Sequence, residues 1–248
     1  MEVSQEDRAA YSLRAGDAEA HRQRLARLCP WYATFLRRWL PADKSSRILD
    51  LPCGDGNLLF ALKDLGFTNL LGVDVDPGQV ALAQQLGLTA RVGDVFEALA
   101  SEPEGSVARV FSLDFIEHVP IEQALEFCKL ARRALSPGGM LICRTPCADG
   151  PFGSHDRHND LTHRWGMTSG AAGQFLILAG FQPDEISVVG EPPVPYKLVN
   201  WFRLQLYRVT TAVVGAWLEL CGIGAPRVWT RSMWIVAGRG GGLLELPD

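Results

Sequence analysis

The stretch "RILDLPCGDGNLLFAL", residues 47–62, decides the fold. RILDL is a short apolar run of the kind buried in a sheet, CGDG is a glycine turn, and NLLFAL opens a helix. That order places a ligand at the carboxyl end of a strand and the start of a helix. A dinucleotide site requires GxGxxG, and counting from Gly54 the residues are Gly54, Gly56 and then Leu59 where the third glycine belongs. Pro52, at the entry to the loop, has no N–H to give a phosphate. Asp50 and Asp55 would repel a pyrophosphate and attract a cation. The stretch therefore predicts a nucleotide-like ligand carrying positive charge.

On either side of this stretch, short apolar runs alternate with helical patterns. After a basic helical lead-in interrupted at Pro30, the strand candidates are RILDL, NLLGVDV, TARVG, VARVFSL, MLICRTP, EISVVG and SMWIVAG. Between them lie the helices NLLFALKDLG, PGQVALAQQLG, IEQALEFCKLARRAL (ended by SPGG) and QFLILAGF. PGQVALAQQLG is bounded by Asp76 as N-cap, Pro77 at the first helical position and Gly87 as the stop. Alternation of this kind predicts an α/β fold with a mostly parallel sheet and helices on both faces.

The 248 residues are 47% hydrophobic and 21% charged, enough for one large α/β domain with an appendage. A net charge of −4 argues against nucleic acid as a partner. The amino terminus lacks the basic start and apolar core of a secretory signal, and the six cysteines form no CxxC pair. Both features predict a cytoplasmic protein with reduced thiols.

Five segments in order carry a resemblance. ILDLPCGDGN, LLGVDVDP, VGDVF, VFSLDFIEHVP and LARRALSPGGMLICRTP are similar to the successive motifs of the class I S-adenosylmethionine-dependent methyltransferases, methyltransferase domain type 11/12. The first is usually LDxGCGxG in that family, so Pro52 is a local departure. The resemblance runs from about residue 45 to 190 and implies a Rossmann-like sheet of seven strands with one antiparallel strand near its end. The implied cofactor is S-adenosylmethionine, with S-adenosylhomocysteine as product; its sulfonium and ammonium suit the acidic loop. Carried over to this chain, Asp50, Pro52, Cys53, Gly54 and Gly56 surround its methionine part. Asp74 accepts the ribose hydroxyls with Val75 beside it, Asp94 and Val95 meet the adenine, and Leu113 and Asp114 lie by the sulfonium. For each aspartate taken singly, a helix cap or turn is the commoner fate.

For the acceptor, four of the five histidines fall between 118 and 163. Methyl transfer to a hydroxyl needs alignment and a base, and histidine titrates in the right range. His118, directly after the fourth strand, is the first candidate, with His158 and His163 as alternatives. Asp114, Glu117 and His118 resemble a group proposed to hold a divalent ion in some quinone-pathway methyltransferases, although IEHVP also occurs without a metal. The segment NDLTHRWGMTSGAAGQFLILAGFQP resembles bacterial methyltransferases found with polysaccharide or glycolipid genes. Asp160, Leu161, Thr162, His163, Thr168 and AGF at 179–181 match, while Trp165 to Met167 diverge. A sugar, glycan precursor or glycosylated metabolite is the acceptor this implies. The alternatives are a quinone or natural product with metal assistance, and a binding protein that has lost catalysis.

The division expected is a helical lead-in at 1–45, the cofactor-binding core at 46–190, and a segment at 191–248 belonging to the same domain. Residues 197–239 hold six bases and one acid, a local charge of +5, and four of the seven tryptophans. Within that region Phe202, Leu206, Val209, Val213, Trp217 and Leu220 mark one helical face, with Arg203, Tyr207, Arg208 and Thr211 opposite. Only ten uncharged residues separate Arg208 from Glu219, far short of the roughly 20 that cross a bilayer. The expected fate of the apolar face is packing over the sheet or a dimer contact. The alternative, for 198–221, is peripheral contact with the inner face of a membrane.

Overall fold

A computed structural model of the chain describes residues 18–150 and 153–240. It contains α1 (Ala18–Leu36), β1 (Ile48–Asp50), α2 (Asn57–Asp64), β2 (Leu70–Asp74), α3 (Pro77–Gln85) and β3 (Ala90–Val92). These are followed by α4 (Val95–Ser101), β4 (Val107–Leu113), α5 (Ile121–Ala134), β5 (Leu135–Pro146), α6 (Gly153–His158) and α7 (Ser169–Leu178). The chain ends with β6 (Ile186–Gly190), α8 (Leu198–Leu220) and β7 (Ser232–Arg239). The sheet order is β3-β2-β1-β4-β5-β7-β6. Strand β7 is antiparallel to both of its neighbours, as the family resemblance implies.

The central strands are buried on both faces, so successive residues feed opposite cores. On β7, Met233, Ile235 and Ala237 join the core under α4, α5 and α7, whereas Trp234 and Val236 join the core under α1, α2 and α3. Asp76 caps α3 as expected, its Oδ1 accepting from the amides of Gly78 at 2.7 Å and Gln79 at 3.2 Å. The chain turns left from β1 to β2 and β3 and right to β4, so the carboxyl ends of β1 and β4 form the switch point where such sheets bind ligands.

Three local expectations are corrected. Helix α1 runs continuously through Pro30 instead of breaking there. SPGG does not end α5 as a free turn: it is absorbed into β5, where the register to β4 shifts between Val107 and Arg109. Helix α8 does not pack its apolar face over the sheet. Phe202, Leu206, Val209, Val213, Trp217 and Leu220 are 58–88% exposed, while Tyr207 and Thr211 turn inward and Gly215 alone is buried. No helix among the described residues is long and apolar enough to cross a membrane.

Candidate active site

The loop after β1 is built on carboxylates and glycines. Asp50 ends the buried strand and is 2% exposed. Burial, with the nearby carboxylates of Asp74 and Asp55, holds its carboxyl far above the usual range. At the end of β2, Asp74 is also buried; its Oδ2 accepts from the Gly54 amide at 2.8 Å and its Oδ1 from the Asp76 amide at 2.9 Å. Burial raises this carboxyl too, while those two amides oppose the rise. Two buried acids that repel each other form a site that a cation relieves.

Gly54 and Gly56 have φ of +51° and +87°. A side chain at Gly54 would meet nothing within 4 Å, which leaves the loop backbone open to a ligand. At Gly56 a Cβ would lie 2.5 Å from Leu88 Cδ1, so this glycine serves packing. Pro52 is half-buried and Cys53 is buried against the glycine of β2, where a Cβ on Gly72 would come within 2.7 Å of its Sγ. Of the other candidates, Val75 is 48% exposed, Val95 is 4% exposed and Leu113 is half-buried. Asp94 caps α4, with Oδ1 accepting from Phe96 at 2.7 Å and Glu97 at 3.2 Å. At that position the commoner role of an aspartate is present, and both bonds fall on one oxygen.

Asp55 faces α1. Its carboxylate pairs with Arg24, and its carbonyl accepts from His21 Nε2 at 3.2 Å. Helix α1 therefore walls the loop, and it also brings Tyr32 beside Asp50, Arg144, Asp114 and Glu191. Arg144 bridges Asp114 at 2.6 Å and Glu191 at 2.7 Å, and Glu191 also accepts from Trp234 Nε1 at 2.9 Å. Asp114, with φ of +52°, is thus tied to β5.

A cleft of about 680 Å³ opens next to this network. Glu117, His118 and His163 line it together with Arg144, Tyr207 and Trp229. Its wall from 160 to 165 is pinned to the segment after β4, because the Arg164 amide donates to Glu117 O at 2.8 Å and Trp165 Nε1 to Val119 O at 2.8 Å. Thr162 Oγ1 donates to Asp160 Oδ1 at 2.6 Å and lies 2.8 Å from His118 Nδ1. A hydroxyl has one proton, so Thr162 accepts from Nδ1–H and the lone pair of His118 sits on Nε2. Burial and the adjacent His163, whose ring centroid is 4.8 Å away, lower the His118 pKa below its ordinary 6.5. Asp160 stays below the ordinary carboxylate range: burial raises it, but its bonds from the Thr162 hydroxyl and amide and the two imidazoles outweigh that.

Of the candidates named from sequence, His118 and His163 come together in the cleft, whereas His158 is exposed and outside its lining. Donor atoms of Glu117, His118 and His163 lie within 4.8 Å of one another, so His163 replaces Asp114 in the candidate metal set. Sequence reasoning missed Tyr32, Glu191, Tyr207 and Trp229, for which it offers no pattern. Arg144 did leave a signal, as the one charge in the apolar run MLICRTP.

Glu117 is 2% exposed, and neither carboxylate oxygen has a hydrogen-bond partner of good geometry. Burial pushes its pKa up to about 8, with Asp114 adding to the rise and Thr145 opposing it. An unfolded glutamate loses its proton near 4.5, so the folded chain holds the extra proton between 4.5 and about 8 and loses stability as pH rises through that window. Glu117→Gln does not titrate. Its melting temperature relative to the parent should climb from pH 5 to pH 8 by about 5 °C, measured by scanning calorimetry. A gap that stays constant with pH would remove the buried acid from this account.

The family described as "methyltransferase domain" matches residues 20–180. No curated protein matches the chain. Among solved structures, an S-adenosylmethionine-dependent methyltransferase from Archaeoglobus fulgidus shares 18% identity over 90% of this chain and 95% of its own, with a TM-score of 0.59. One from Mesorhizobium loti shares 21% over 87% of this chain and 100% of its own, TM-score 0.58. A phosphoethanolamine N-methyltransferase from Haemonchus contortus, solved with S-adenosylmethionine, shares 18% over 85% of this chain and 52% of its own, TM-score 0.58. At these identities the likeness is one of fold. The family match spans most of the sheet, and the acidic, glycine-opened end of β1 suits a cationic nucleoside: the chain belongs to the class I S-adenosylmethionine-dependent methyltransferases.

Proposed function

We propose that the protein methylates a hydroxyl of a sugar, glycan precursor or glycosylated metabolite, with His118 as general base. The observation that carries this reading is the chain Asp160–Thr162–His118, which leaves Nε2 as the basic atom in the cleft. The lining supports the acceptor class. Asn159, Glu191, Thr230 and Ser232 offer hydrogen bonds to several hydroxyls, and Trp229 and Tyr207 offer apolar surface to a sugar ring.

Bound S-adenosylmethionine supplies an electrophilic methyl group on a sulfonium. In our reading Asp50 faces its positive charge and Asp74 takes the ribose hydroxyls. Asp74 has capacity beyond its two amide bonds, since a carboxylate accepts about four. Val75 and Val95 hold the adenine faces, Asp94 lies at its edge, and Leu113 closes the side toward β4. The acceptor proton passes to His118 Nε2, while ionised Asp160, through Thr162, keeps Nδ1 protonated and favours the imidazolium.

A second reading rests on the Glu117, His118 and His163 group. One carboxylate and two imidazoles suit a divalent transition metal, and His118 Nε2 would then be a ligand instead of a base. One experiment separates the two: methyl-labelled cofactor is incubated with bacterial glycan-precursor and quinone extracts, with and without EDTA, and products are identified by mass spectrometry. Label in sugars that persists in EDTA is expected. Label confined to quinones and abolished by EDTA overturns the sugar reading in favour of the metal-assisted one.

A further inference from the structure

Ten of the eighteen exposed large apolar side chains among the described residues lie between Leu198 and Ile223. In α8 they share one face: Phe202, Leu206, Val209, Val213, Trp217 and Leu220 recur at three and four and point away from the protein. The opposite seam, including Leu204, Tyr207, Val214 and Leu218, is half-buried. Around Gly215, whose Cβ would stand 3.5 Å from Trp229, the helix rests on the segment that follows it. No residue of α8 joins either described core. An apolar stripe about five turns long left in water is unfavourable, and such patches mark contact surfaces.

We propose that the outward face of α8 seats on an anionic bilayer surface, with the helix lying in the headgroup plane. Charge selects this occupant. Lys197, Arg203, Arg208 and Arg227 are all exposed around the stripe, against Glu219 as the acid of the helix. Residues 197–227 thus carry +3 in a chain whose net charge is −4. A two-fold contact between copies would bring like-charged bases face to face, whereas anionic lipid neutralises them. Trp217 within the stripe and Trp201 beside it are 59% and 46% exposed, and indoles favour the membrane interface. The position relative to the cleft adds a reason: Tyr207, on the inward side of the same helix, lines the acceptor cleft. Seating α8 therefore holds that cleft one helix diameter, about 10 Å, from the headgroups, within reach of an acceptor carried on a lipid. The membrane contact itself does not depend on the sugar reading, because it is detected without turnover.

The test uses the full chain with vesicles of phosphatidylcholine alone and of phosphatidylcholine with phosphatidylglycerol, followed by flotation. Binding to the anionic vesicles is expected, weakened by salt and accompanied by a blue shift of tryptophan fluorescence. Val209→Glu with Val213→Glu should reduce the bound fraction about tenfold or more, and Arg203→Glu with Arg208→Glu should abolish the preference for anionic lipid. Both variants should keep the parent's melting temperature and cofactor affinity, because these side chains face solvent. No flotation with anionic vesicles overturns the proposal. So does an oligomer at working concentrations that Val209→Glu with Val213→Glu dissociates, since the stripe would then be covered by a second copy.

Discussion

Asp74→Ala should lower the affinity for S-adenosylmethionine about 100-fold or more, measured by titration calorimetry. The carboxylate does two things at once. In the proposed reading it accepts the ribose hydroxyls, and its oxygens hold the amides of Gly54 and Asp76, which shape the loop after β1 and the turn after β2. Hydrogen bonds to a charged group contribute about 1.5–3 kcal/mol each, so losing two on the ligand reaches this size before any loosening of the loop. Asp74→Asn separates the two roles. It keeps one acceptor and adds a donor, so the fold should survive while affinity still falls. Parent-like affinity in the alanine variant would remove Asp74 from the cofactor site.

His118→Ala should lower kcat by about 10²–10⁴ with cofactor affinity unchanged, the range that a positioned general base provides. Because burial and His163 lower the His118 pKa below 6.5, the base form prevails at neutral pH, and the acidic limb of the kcat profile should fall below 6.5 in the parent. Thr162→Val removes the acceptor for Nδ1–H and frees the ring to adopt the other tautomer. A smaller loss, about tenfold, with a shifted acidic limb is expected from stopped assays across pH. A His118→Ala enzyme that turns over at the parental rate would end the role of base for this residue.

The fold was legible because its signals are local. Asp76, Pro77 and Gly87 bracket α3 by cap chemistry, and the alternating strands feed two cores by their period of two. The errors came where tertiary packing overrides a local rule. Pro30 stays inside a helix because α1 is buried along Leu25, Cys29 and Phe35, and this packing outweighs one missing bond. Helix α8 has apolar residues on both sides, so its pattern shows a stripe without saying which side meets the protein. In the site, Asp50 and Asp74 end strands and His118 follows one, so all three could be found from order alone. Tyr32 and Glu191 come from outside the motif region, and only three-dimensional proximity links them to Arg144.

Helix α1 has two halves with different attachments. Beyond Pro30, Trp31, Phe35 and, past the helix end, Trp39 form an aromatic cluster with Trp234, with ring centroids 5.1–6.1 Å apart. Before it, His21 and Arg24 hold Asp55 beside the glycine loop. Pro30 donates no bond to Ala26, so the backbone ladder is weakest at the junction between anchor and latch. The first half is held as well by Leu25 and Cys29, both buried, so the loop contacts of Asp55 are fixed to the core through the helix. Changes at Arg24 therefore act on the glycine loop, through Asp55, whereas changes at Trp39 act on the aromatic packing beneath the sheet.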